Sequence, residues 1–247
     1  MLRKFFLFFI FLINTSLFAQ VHDFGNYPDS IRGEVWIELE PIYGGYVDEE
    51  YPLDVRTAAI RALHESSMLF SGMIYGWSFS YDIGERARQI DENFELKPVA
   101  LIPFGDPGLN VTEVEIKDYK VRMWADYHLN ESQQRRLLSW RTGNIRRAQA
   151  VGYWLPSTPL NILEPSGEGS LNKEQSLWIA VKKAALEDAA RAAVRTMLQG
   201  SERNRPKEAY GFISLASFPH YFADAGGLAA SASFRVQITE IVPFAAY

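Results

Sequence analysis

Cysteine is absent from the whole 247-residue chain. That absence excludes thiol nucleophiles, cysteine-ligated zinc, iron–sulfur clusters and any disulfide staple, so the fold must rest on its core alone. Histidine is scarce, with four residues: His22, His64, His128 and His220. The stretch "HESSM" begins like the H-E-x-x-H zinc-protease helix, but Met68 stands where the second histidine is needed. Two-point ligation from one helical face therefore fails. No G-x-S-x-G or P-loop pattern is present. "SGEGS" (Ser166 to Ser170) is glycine-rich, but it lacks the lysine of a phosphate loop and reads as linker. A basic excess is also missing. The formal net charge is −5, which argues against general nucleic-acid binding.

Long apolar runs are missing too, except at the start. "MLRKFFLFFIFLINTSLFAQ" has a basic n-region (Arg3, Lys4), an apolar stretch from Phe5 to Ile13, and a polar break at Asn14 to Ser16. Ala19 then supplies a small residue before Gln20. This is the pattern of a cleaved export signal. A membrane span needs about 20 apolar residues, and Phe5 to Ile13 stops well short. No cysteine follows, so a lipid-anchored lipoprotein is excluded. Cleavage after Ala19 would remove two positive charges and no acid, taking the net charge from −5 to −7 and leaving 228 residues. A periplasmic or secreted location is expected.

What is there is globular: 47% hydrophobic and 14% aromatic residues, enough to build a core. Residues 34–43 alternate, with Val35, Ile37 and Leu39 on one face and Glu34, Trp36, Glu38 and Glu40 on the other, which predicts a half-exposed strand. Pro52 and Asp54 open a helix whose inner stripe is Val55, Ala59, Ala62, Ser66, Leu69 and Met73. "PVALIPFGDPG" is an apolar run closed by a strong turn signal. Residues 111–129 alternate and predict one long strand or two in sequence. "ESQQRRLLSWRTGNIRRAQA" reads as a short basic helix broken at Thr142-Gly143-Asn144. Asn172 with Gln175 opens the clearest helix by a capping box. Its inner stripe is Leu177, Val181, Ala185, Ala189, Ala192 and Thr196, and its outer stripe Lys183, Glu187, Arg191 and Arg195. "AYGFISLASF" and "LAASASFRVQITEIVPF" predict two final strands.

The order of elements recurs. Tyr75-Gly76-Trp77 and Tyr210-Gly211-Phe212 each follow an alanine-bearing helix and each precede a long alternating run, at a spacing of roughly 130 residues. The predicted fold is α+β, from two related β-α-β-β units whose antiparallel sheets are each covered on one face by an alanine-rich helix. The expected organisation is a signal peptide at 1–19, a first unit with the basic helical segment at 20–151, a Pro/Gly/Ser-rich connection at 152–171 and a second unit at 172–247. In the second helix, Ala185, Asp188, Ala189, Arg191 and Ala193 form an A-x-x-D-A-x-R-x-A run. With the strands that follow, over residues 172–243, it resembles the LPP20-type lipoprotein domain and the N-terminal domain of the flagellar assembly protein FlgT. The resemblance implies a bacterial envelope accessory domain without catalysis, although the lipoprotein cysteine of the first type is lacking here.

Candidate functional residues are few. Arg135, Arg136, Arg141, Arg146 and Arg147 follow one another with no acid between them, and Trp140 lies among them. Arginine and aromatics together suit an interface, so these six are the candidate contact residues for an acidic protein partner in the cell envelope. The aromatics Trp36, Trp77, Trp124 and Tyr127 would be recognition residues if they lie on a wet sheet face. No catalytic, cofactor or metal residue is identified. The leading expectation is a non-catalytic accessory protein of the envelope, possible contexts including a flagellar assembly. A periplasmic hydrolase using carboxylates, among which Asp48 to Glu50, Asp91 and Glu92 are candidates, and a small-molecule binder remain open alternatives.

Overall fold

The computed structural model describes residues 28–40, 52–84, 89–142, 144–160, 173–201, 206–224 and 226–243. The expected signal peptide, the carboxylates Asp48 to Glu50, the Ser166 to Ser170 linker and the Asn172 cap lie outside these residues. In chain order the elements are β1 (Ser30–Glu38), α1 (Val55–Ile74), β2 (Trp77–Asp82), β3 (Asn93–Pro98), β4 (Leu109–Lys117) and β5 (Lys120–His128). They continue as α2 (Glu131–Ser139), β6 (Arg146–Trp154), α3 (Lys173–Ser201), β7 (Pro206–Leu215), β8 (His220–Asp224) and β9 (Gly227–Pro243). The fold is α+β, with all strand pairs antiparallel. One sheet has the order β1-β5-β4. The other runs β3-β2-β7-β9-β6, with β8 also paired to β9.

The first β-α-β-β stretch is divided between the sheets, with β1, β4 and β5 in the smaller one and β2 and β3 in the larger, where they join the strands of the second stretch. Strand β2 pairs with β7, bringing Phe79 opposite Gly211, and β6 pairs with β9. The Tyr-Gly-aromatic tripeptides therefore meet in one sheet but do different jobs. Gly76 turns the chain out of α1 with φ +70, and a Cβ there would stand 2.4 Å from the Ile213 carbonyl oxygen. Gly211 lies inside β7, beside a shift of register.

Local chemistry explains most boundaries. Asp54 caps α1 by accepting from the Thr57 amide at 3.0 Å. Residues 109–128 fold as two strands, because Asp118 and Tyr119 both take positive φ (51 and 57), the tight hairpin turn that matches strand twist. Asn130 and Gln133 cap α2 reciprocally, at 3.0 and 2.9 Å.

The expected basic helix is instead a helix followed by a strand. The helix ends at Ser139, and Arg146 and Arg147 lie on strand β6. Beyond the break, Ala148, Ala150, Gly152 and Trp154 repeat with period two, and burial against α3 favours a strand. Strand β6 also takes in residues 152–154, the beginning of the expected connection.

Helix α1 lies between the sheets, against β1 and β5 on one side and β7 on the other. From Arg61 to Ile74 it is therefore buried nearly all round, while Val55, the start of its expected stripe, is 42% exposed. Helix α3 packs on β6 and β9 through Ala185, Ala189, Ala190 and Ala193, all fully buried. This buried face is rotated from the expected one: Lys182 faces inward and Thr196 outward. Small residues meet small residues at this contact. A Cβ on Gly152 would lie 1.9 Å from the Ala189 backbone nitrogen, so the helix would have to move. Gly152→Ala is expected to destabilise by ~3 kcal/mol or more, the upper end of overpacking. A urea midpoint equal to that of the unaltered protein would show that the helix sits less closely than described.

Candidate functional site

The six candidate contact residues divide into two groups. Arg135, Arg141, Arg146 and Arg147 are exposed, and none is ion-paired among the described residues. Trp140 is buried and donates its indole N–H to the Ile74 carbonyl at 3.0 Å. Arg136 lies over the Trp140 ring and donates to the Tyr75 carbonyl at 3.3 Å. Those two tie α2 to the end of α1. Trp77 and Tyr127 are also buried, whereas Trp124 is half-buried with the Arg32 guanidinium 4.9 Å above its ring.

A cavity of about 380 Å³ opens between α1 and α3, over the larger sheet. Its floor is Trp77, Leu96 and Phe234. One wall comes from α1 (His64, Ser67, Met68, Ser71) and the other from α3 (Ile179, Ala180, Leu186, Ala190). The loop 99–108 forms its lip. Ile102 is pinned there, its amide donating to Ser71 Oγ at 2.8 Å. Leu101 and Phe104 line the cavity yet remain 64% and 42% exposed. Large apolar side chains left in water beside an apolar hollow are what a ligand site presents before it is filled.

The polar groups at the cavity are few. The Ser67 and Ser71 hydroxyls donate to the carbonyls of Leu63 and Ser67, as helix-borne hydroxyls commonly do. The His64 ring stacks on Phe104 at 4.0 Å. Lys183 and Glu187 pair at 3.6 Å, and burial raises the Glu187 carboxyl above its ordinary range despite that lysine. Glu187 is the one carboxylate among the described lining residues, so the facing carboxylate pair of a glycosidase-type cleft is not formed here. The arrangement can hold an apolar body and offer it a polar lip.

Beside the cavity lies a buried charge cluster that sequence reasoning missed. Lys182 of α3 donates to Glu65 of α1 at 2.6 Å and to the Trp36 carbonyl of β1 at 3.0 Å. The rings of Trp36, Trp178 and Tyr221 surround its ammonium at 5.0–5.3 Å. Burial raises Glu65, while Lys182 pulls it back down. Glu38 is pushed up to about 7 by burial, against the opposing pull of Lys182 and of Lys120 3.8 Å away. Single-strand alternation placed Glu38 and Trp36 on a wet face. Helix α3 covers that face only in the tertiary structure.

Asp188 pairs with Arg191 at 2.5 Å and also accepts from the Tyr153 amide at 2.9 Å. Glu92 accepts from Tyr81 and pairs with Arg191 at 3.1 Å.

The raised Glu38 gives a pH signature. The folded state holds its proton where the unfolded chain has lost it, so its contribution is fully present below about pH 4.5 and lost as pH rises through about 7. Glu38→Gln is expected to reduce the fall in stability between pH 5 and 8, read by urea unfolding across that range. An unchanged slope would place the titration elsewhere.

Comparison with known proteins adds kinship without chemistry. The chain is 27% identical over 215 residues to an uncharacterized protein of Treponema pallidum (strain Nichols), a match covering 86% of this chain and 81% of that protein. No solved structure matches it. A family model that carries no functional description matches residues 25–244, and the chain belongs to that family.

Proposed function

We propose that this protein is an exported, non-catalytic binding protein whose cavity between α1 and α3 takes a small apolar or amphipathic molecule. The observation that carries this reading is the cavity itself, about 380 Å³ and walled by apolar side chains, with Leu101 and Phe104 exposed at its lip. Its size lies within the range of roughly 300–1,000 Å³ common to small-molecule sites. The Lys183–Glu187 pair at the lip suits a ligand with one polar end. Export rests on the basic, apolar and small-residue pattern of residues 1–19. No helix among the described residues is long and apolar enough to cross a membrane.

A fluorescent fatty-acid analogue titrated into the purified protein is expected to bind saturably. Ala180→Trp, which places bulk in the half-exposed wall, is expected to weaken that binding about tenfold, or ~1.4 kcal/mol, with little change in Tm. Absence of saturable binding, or equal binding by a folded Ala180→Trp variant, would overturn the reading.

A second reading, docking onto an acidic partner of the cell envelope, draws support from the exposed arginines of α2 and β6. Crosslinking in intact cells of the source should recover a partner with the unaltered protein. Joint replacement of Arg135, Arg146 and Arg147 by alanine should abolish that recovery without lowering Tm. Arg136 is left in place because it braces Trp140. Undiminished crosslinking by the triple variant would remove this surface from consideration.

A further inference from the structure

Arg235 lies one residue beyond Phe234 of the cavity floor, so its side chain leaves the sheet on the opposite face. It is 6% exposed. Its guanidinium is held from behind, donating to the Leu215 carbonyl at 2.9 Å and more weakly to that of Ala216 at 3.4 Å. Directly across the β6–β9 pairing stands another arginine, Arg147. Like charges placed opposite each other in a sheet destabilise it. Arg141, from the turn after α2, is the third member, and it acts on Arg235 together with Arg147. Both are exposed, and no acid is ion-paired with any of the three among the described residues.

Two further atoms in this row lack partners. Arg235 Nε is buried without a hydrogen bond, and so is the hydroxyl of Ser214, the cross-strand neighbour of Arg235 in β7. Buried polar groups without partners are costly, and charges of one sign gathered without a counter-charge are costly as well. Both costs fall on the same patch. We infer that Arg141, Arg147 and Arg235 form a binding site for a small phosphate-type oxyanion, on the sheet face opposite the apolar cavity.

The chemistry selects that class of ligand. Guanidinium forks match the oxygen geometry of phosphate and carboxylate alike. A phosphate carries between one and two negative charges near neutral pH and presents oxygens in several directions, so one anion can face three arginines. A single carboxylate offsets only one of them. Arg235, anchored by two carbonyls, serves as a fixed floor charge, whereas Arg141 and Arg147 are free to close over the anion.

The test is a titration of the full chain after signal removal, in phosphate-free buffer, with inorganic phosphate and then pyrophosphate. Sodium chloride at equal ionic strength serves as the control. Saturable binding and a concentration-dependent rise in Tm are expected with the phosphates and not with chloride. The Arg141→Gln, Arg147→Gln double variant is expected to weaken binding by about tenfold or more. Each single exchange is measured as well, so loss of folding in the double variant leaves the comparison intact. Arg135→Gln, an exposed arginine of α2, is expected to bind as the unaltered protein does. The inference is overturned if phosphate acts no differently from chloride. It is equally overturned if the folded Arg141 and Arg147 variants bind normally, or if Arg135→Gln weakens binding as much as they do, which would show a diffuse field and no local site.

Discussion

The ion pair between Lys182 and Glu65 is the contact on which the arrangement of layers depends. Three elements distant in sequence converge at one ammonium: β1 through the Trp36 carbonyl, α1 through Glu65, and α3, which carries the lysine itself. Both charges are withdrawn from water. Such a pair is weak evidence for net stability, because desolvation offsets much of the attraction, but leaving either partner buried alone costs ~3–5 kcal/mol. Its consequence is therefore specificity. Any slip of α3 along the sheet, or of the small sheet over α1, would strand a buried charge. The aromatic rings around the ammonium add attraction without adding another acid.

The cavity follows from the same arrangement. At its β6 end α3 lies almost on the sheet, since alanine meets alanine and glycine there. Over β2, β3 and β9 the two helices hold larger groups apart, and Trp77, Leu96 and Phe234 floor the space left between them. Polar ties add to this seating: Tyr81, Glu92, Arg191 and Asp188 link β2, the β2–β3 connection, α3 and, through the Tyr153 amide, β6. The outer face of the same sheet carries the arginine row. Strand alternation alone separates the two surfaces, Phe234 facing inward and Arg235 outward.

Much of the fold was legible because its signals are local. The helix start at Pro52 and Asp54, the alternation of Val35, Ile37 and Leu39, and the small-residue character of α3 all act between near neighbours. The failures share one cause. Arg146 and Arg147 looked helical because charge and helix propensity continue past Ser139, whereas the strand there is stabilised by burial against α3 and pairing with β9. Trp140 looked like an interface aromatic because an arginine run gives no hint that the Ile74 carbonyl awaits its indole. Lys182 was passed over because a lysine on an alanine helix normally faces water.

By itself the sequence determined the absence of cysteine chemistry, the α+β class and the close seating of an alanine helix on a sheet, since composition and periodicity are properties of the chain alone. Tertiary structure alone decided that strands β2 and β7 of the two similar stretches pair in one sheet while β1, β4 and β5 form another, that Glu38, Glu65 and Lys182 are buried together, and that Arg147 stands opposite Arg235. Each of those depends on which surfaces meet across long separations. Burial and strand register are set by the partner surface, and no local pattern encodes them.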